Sequence, residues 1–166
     1  TNPWMQESSN KIIQSGEIVS FDTDMVGPYG YCADISRTFV EGHKFNEKQK
    51  KLYQMAVEHI NHNSRLIKPG MSFREFTEKS WKLPEEYFPN RYSVMVHGIG
   101  LCDEWPAVRY PTDGGERSGI FQKNMTITIE SYIGKVGGKE GVKLEQQYLV
   151  GQNGLELMSH HPLEKI

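Results

Sequence analysis

An α+β domain with an antiparallel or mixed sheet is the fold class this chain predicts, on three observations. Strand signals flank a GPYG turn early in the chain, two helical patterns follow, and the second half is again mostly strand-like. Strands, two helices and then more strands describe that class.

Each element has a local reason. Ser15-Gly16 turns the chain into EIVSFDTD, and the GPYG turn at Gly27 to Gly30 returns it into YCADISRTFV, a hairpin that carries Asp34 toward Asp22 and Asp24. From Asn46 to about Ile67, Leu52, Met55, Ala56, Ile60 and Ile67 recur at helical spacing. Asn46 caps that helix and Lys68-Pro69-Gly70 stops it. A shorter helix starts at Ser72 with a capping box to Glu75, carries Phe73, Phe76 and Trp81, and ends by Leu83-Pro84. YSVMVHGIG, MTITIES and VKLEQQYLV supply the later strands, the last two joined by KVGGKEG, and GQNG with a polar tail closes the chain.

The bulk properties exclude several functions. At 166 residues the chain is one domain's worth, long enough for a real core. A formal charge of −2 without a basic run gives nucleic acid or an anionic membrane no electrostatic footprint. No stretch approaches the roughly 18 apolar residues of a spanning helix, and TNPWMQESSNK has no leader character, so a cytoplasmic location is expected. Cys32 and Cys102 lack CxxC spacing and read as small buried thiols. His59 and His62, three apart on the long helix among polar neighbours, read as solvated.

The acidic residues carry the chemistry. Asp22, Asp24, Asp34, His97, Glu130 and Glu145 lie in or beside the best strand signals, where carboxylates are depleted and costly to bury unpaired. Asp22 and Asp24, two apart, would leave one face of a strand. In MTITIES, Met125, Ile127 and Ile129 alternate with Thr126, Thr128 and Glu130. Glu145 likewise points away from the aliphatic side of its strand. Carboxylates brought together this way repel unless cations join them, and an oxygen-rich set with one imidazole suits Mn, Fe, Co or Zn.

Taken in order, FDTD, DISRT, HGIG, IES and VKLEQQYLV resemble the creatinase, aminopeptidase P and methionine aminopeptidase superfamily (peptidase family M24), whose fold is the pita-bread fold. That resemblance implies a sheet with flanking helices, spanning 1–166 as a single metal-binding catalytic domain that lacks the N-terminal part of the family domain. It implies two divalent ions on Asp24, Asp34, His97, Glu130 and Glu145, with Asp22 added to the set and Arg37 supporting a ligating carboxylate from outside. A homodimer is also implied.

One departure points away from peptide hydrolysis. Peptidases of the family carry a second His shortly after the HGIG strand, whereas this chain reads HGIGLCDEWP, with Asp103 before Glu104. Asp22, Tyr92 five residues before His97, and Asp103 six residues after it resemble the dimethylsulfoniopropionate lyase branch, in which iron is the usual metal. There Asp103 would be the general base that starts carbon-sulfur cleavage. Tyr92, Trp105 and Trp4 would either pack or hold the sulfonium zwitterion by cation-π attraction, worth about 0.5–2 kcal/mol each. The alternatives are a metallopeptidase acting on Xaa-Pro peptides and an inactive, truncated binding module.

Overall fold

A computed structural model describes residues 9–42, 44–114, 118–164 and 166. Its chain order matches the expected one: β1 (Ile18–Asp22), β2 (Met25–Val26), β3 (Cys32–Ala33) and β4 (Ser36–Val40), then α1 (Glu47–Leu66) and α2 (Phe73–Lys79). The second half holds β5 (Val94–Gly98), β6 (Ala107–Arg109), β7 (Thr126–Gly134), β8 (Gly141–Val150) and β9 (Leu155–Leu157).

The later strands form a five-stranded sheet in the order β6-β5-β7-β8-β9, and every pairing in it is antiparallel. β9 falls inside what reads as a polar tail; as an edge strand of three residues it pairs Leu155 with Val150 without an alternating pattern of its own. β1 pairs with β4 and β2 with β3, both antiparallel, as the GPYG turn implies.

Helix α1 is capped as expected, and by a stronger device than one residue. Asn46 Oδ1 accepts from the Gln49 backbone N–H, and the Gln49 side chain accepts from the Asn46 N–H, a reciprocal capping box. Its buried Leu52, Tyr53, Ala56 and Ile60 pack with Ile129, Ile133, Val142 and Leu144 of β7 and β8 in the main core. Ser72 caps α2 through the Glu75 N–H.

Strand alternation therefore gives β7 and β8 two unlike faces. Ser131 interrupts the isoleucine row on the helix-facing side, and its hydroxyl lies 2.9 Å from His59 Nδ1. His59 is buried, stacked on Trp81 at 5.2 Å between ring centroids, which corrects the solvated reading; His62 remains exposed. Burial, with the nearby His62 adding to it, holds the His59 imidazole down at about 3, so it is a neutral core residue. Of its polar neighbours in sequence, Glu58 and Asn61 are exposed on other faces of α1, whereas Asn63, one turn further on, is buried with it. Among the described residues no helix is long and apolar enough to cross a membrane.

Candidate metal centre

The other face of β7 and β8 carries the acidic residues. Glu130 stands directly opposite Glu145 in the antiparallel register, an arrangement that repels unless something positive intervenes. His97 on β5 pairs with Thr128, two residues before Glu130, and so joins the same face. Its Nε2 lies 3.1 Å from Glu145 Oε1, 3.6 Å from Glu130 Oε1 and 3.7 Å from Asp34 Oδ2. All four residues are buried.

The early hairpin delivers the aspartates. Thr38 and Arg37 of β4 bond to the β8 backbone, and the Asp34 N–H donates to Gln147 Oε1 at 3.3 Å, so Asp34 is held over the sheet. Asp24 does not continue the β1 strand as its spacing predicts. The strand ends at Asp22, and Asp24 turns with φ 33°, outside the extended region, so the two side chains are not on one strand face. The Asp24 N–H then meets Asp34 Oδ1 at 3.4 Å.

Asp103 arrives on the loop after β5. A Cβ at Gly98 would lie 2.1 Å from the Trp105 carbonyl oxygen, so only glycine there lets the loop fold back on its own strand. The Gly98 N–H donates to the Pro106 carbonyl at 2.9 Å, and the Cys32 N–H donates to the Gly100 carbonyl at 2.7 Å. Loop and hairpin are thus tied together.

Two groups of ligand atoms result, each within 4.8 Å: Asp34, His97 and Glu145, and Asp24, Asp34 and Asp103. They share Asp34. Asp22 joins neither. Its Oδ1 lies 2.6 Å from Ser36 Oγ and its Oδ2 lies 3.1 Å from Lys143 Nζ. Lys143 is the residue that reading the sequence missed. It is buried and also reaches Glu130 Oε2 at 2.6 Å and Glu145 Oε2 at 3.3 Å.

Arg37 is buried beneath the centre, but its guanidinium contacts no ligating carboxylate. It donates to the main-chain carbonyls of Ser36, Glu145, His161 and Pro162 and to Gln146 Oε1. Its support is structural, fastening β4, β8 and the C-terminal segment together. Arg37→Met leaves these acceptors unpaired and is expected to cost about 3 kcal/mol of stability, read by denaturant unfolding. An unchanged midpoint would contradict it.

Of the aromatic candidates, Tyr92 donates to Glu104 Oε1 at 3.2 Å, and its ring centroid is 5.0 Å from Lys143 Nζ. Trp105 is exposed, on the loop that carries Asp103. Trp4 lies outside the described residues. The two thiols are not buried: Cys32 is partly exposed and Cys102 exposed. Both lie near the bond between the Cys32 N–H and the Gly100 carbonyl that joins hairpin and loop.

The donor set fits divalent ions. Glu130 Oε1 is buried without a hydrogen-bond partner, a costly state that a cation would relieve. The His97 Nδ1 lies 3.0 Å from the Gly98 carbonyl, which can only accept, so Nδ1 donates and Nε2 is directed at the carboxylates.

Where no cation offsets them, buried carboxylates this close together favour their protonated forms. Burial, reinforced by Glu145, Asp22 and Asp24, pushes the Asp34 carboxyl up to about 9. Burial likewise raises Glu130 to about 8, against the pull of Lys143. For His97, burial acts downward, but its bond to Glu145 and the charges of Glu130 and Glu145 override it, to about 10. Burial would raise Glu145 as well, yet Lys143 and His97 hold it well below the usual carboxylate range.

Raised groups stabilise most when protonated, so the metal-free chain should lose stability between about pH 4 and pH 10, and metal uptake near neutral pH should release protons from Asp34, Glu130 and His97. Unfolding of chelated protein at pH 5 and pH 9, and proton release in weak buffer, check this. Greater stability at pH 9 would reverse the sign.

Two acidic groups that share Asp34, one of them with an imidazole, form on this sheet a cluster that could hold metal ions. The chain belongs to metallopeptidase family M24, whose family model matches residues 1–152. The chain is 40% identical over 168 residues to the dimethylsulfoniopropionate lyase DddP of Roseovarius nubinhibens, covering 99% of this chain and 37% of the relative. With the Xaa-Pro dipeptidase of Pyrococcus furiosus it shares 31% over 157 residues, covering 92% of this chain and 42% of the relative. Among solved structures, the prolidase from Pyrococcus furiosus superposes with a TM-score of 0.78 at 28% identity, over 95% of this chain and 45% of that one. The fold is the pita-bread fold of that family. The chain spans less than half the length of these relatives.

Proposed function

We propose that this chain carries the catalytic centre of a metal-dependent carbon-sulfur lyase that splits dimethylsulfoniopropionate into dimethyl sulfide and acrylate. The observation that carries the reading is the placing of the Asp103 carboxylate with Asp24 and Asp34, where an acid-base group would meet a bound substrate. Support comes from the higher identity to the lyase than to the dipeptidase.

In this reading Asp24, Asp34, His97, Glu130 and Glu145 hold two divalent ions, Mn, Fe, Co or Zn, with Asp22 beside them on Lys143. Bound ions would act as Lewis acids on the substrate carboxylate, making the proton on its α-carbon more acidic. Asp103 takes that proton. The C–H electron pair becomes the carbon-carbon double bond as the carbon-sulfur bond breaks, and the sulfonium leaves as a neutral thioether. Trp105, exposed on the Asp103 loop, offers its ring to the sulfonium. Tyr92 already faces an ammonium, so its role is to hold Glu104 and Lys143 beside the substrate.

Headspace assay of the metal-loaded protein with dimethylsulfoniopropionate is the test. Dimethyl sulfide release supports the lyase. No release, with hydrolysis of Xaa-Pro dipeptides instead, establishes the peptidase reading that the dipeptidase relatives favour. Elemental analysis without metal would leave the inactive module. A homodimer is part of the proposal and is checked by light scattering.

A further inference from the structure

Lys143 is 3% exposed, on β8 two residues before Glu145, and its ammonium meets three carboxylates at once: Asp22 Oδ2 at 3.1 Å, Glu130 Oε2 at 2.6 Å and Glu145 Oε2 at 3.3 Å. An ammonium has three hydrogens, so its donors are saturated. Its backbone is held as firmly: the carbonyl accepts from Thr38 Oγ1 at 2.6 Å and the N–H donates to the same oxygen at 3.1 Å.

The two glutamates are each divided. Oε2 of both lies on Lys143, while Oε1 of both faces His97 Nε2, at 3.6 Å from Glu130 and 3.1 Å from Glu145. We infer that Lys143 is a positioning residue for the metal centre, a fixed cation that turns one oxygen of Glu130 and one of Glu145 toward the imidazole. It rests on the metal-centre reading and extends it to a residue outside the ligand set.

The charge balance agrees. With Asp22, Asp24, Asp34, Asp103, Glu130 and Glu145 ionised, one ammonium leaves five negative charges, of which two divalent ions neutralise four. Without the lysine the centre carries two charges more than two such ions cancel, and the lysine halves that excess. Both glutamates would then be free to chelate through both oxygens or to swing apart, since they stand opposite each other across the β7-β8 ladder.

Cobalt(II) titration of the chelated, refilled protein tests this, read by calorimetry and by visible absorption, which reports the ligand geometry around the ion. Lys143→Met and Lys143→Gln are expected to bind cobalt at least tenfold more weakly than wild type, with altered absorption bands. Lys143→Arg, which keeps the charge, should stay within about threefold and keep the wild-type bands. A folded neutral variant with wild-type affinity and spectrum, or with tighter binding, overturns the inference. If circular dichroism shows that neither neutral variant folds, Lys143→Arg decides: tenfold weaker binding in that folded variant overturns it, and retention supports it. Wild-type protein that binds no cobalt would instead remove the metal-centre reading itself.

Discussion

In the proposed lyase reaction, Asp103→Asn should lower dimethyl sulfide release by about 10²- to 10⁴-fold, the range a positioned general base contributes, with bound metal retained. The amide keeps the shape of the side chain, so the loop fastened at Gly98 and Gly100 stays in place. Asp34, His97, Glu130 and Glu145, the buried part of the centre, are untouched. Turnover should therefore fall without a matching change in metal content, measured side by side by headspace assay and elemental analysis. Turnover by this variant near that of wild type would remove Asp103 as the base and direct attention to Glu104, its neighbour on the loop. Equal loss of metal and turnover would instead make Asp103 a ligand, a role its place beside Asp24 and Asp34 also permits chemically.

Glu145→Ala should be the most damaging single change to the centre, because it acts on binding and stability together. Glu145 is fully buried, and its carboxylate meets His97 through Oε1 and both Lys143 and Ser36 through Oε2. Removing it takes one carboxylate out of the buried group it forms with Asp34 and His97. It also leaves His97 and Lys143 with one fewer counter-charge in a buried setting, where breaking an ion pair costs about 3–5 kcal/mol. The expected result is loss of tight metal binding together with a lowered denaturation midpoint in the chelated protein. A variant that loses metal but keeps its chelated-state stability would mean that Glu130 and Asp22 alone satisfy Lys143.

The comparison of these two variants separates chemistry from architecture. Asp103 is partly exposed on a loop, so its loss is expected to appear in turnover. Glu145 is inside the sheet, so its loss is expected to appear first in the fold. Both rest on distances between residues far apart in the chain.

Much of the framework was legible in local pattern. The Asn46 cap, the helical spacing through Ile60 and the alternation in MTITIES each report a repeat set by backbone geometry, 3.6 residues in a helix and two in a strand. The acidic set stood out for the same reason: carboxylates in strands violate the usual preference and call for an explanation. What failed was inference about surroundings. His59 looked solvated because its sequence neighbours are polar, yet Ser131 and Trp81 enclose it. Asp24 looked like a strand residue, yet its backbone turns at φ 33°. Arg37 suggested a carboxylate partner and found carbonyls instead.

Lys143 shows the limit most clearly. Beside Glu145 in a single strand it reads as ordinary alternation of charge, because its partners Asp22 and Glu130 are 121 and 13 residues away. By itself the sequence marked carboxylates whose strand positions call for an explanation and the elements that would carry them, since composition and periodicity are local properties. Only the tertiary structure decided that Asp103 joins Asp24 and Asp34, that Asp22 turns to a lysine, and that one ammonium divides the oxygens of two glutamates. Charges interact through space over a few ångströms, and strand register and loop closure, which no short segment encodes, set those distances.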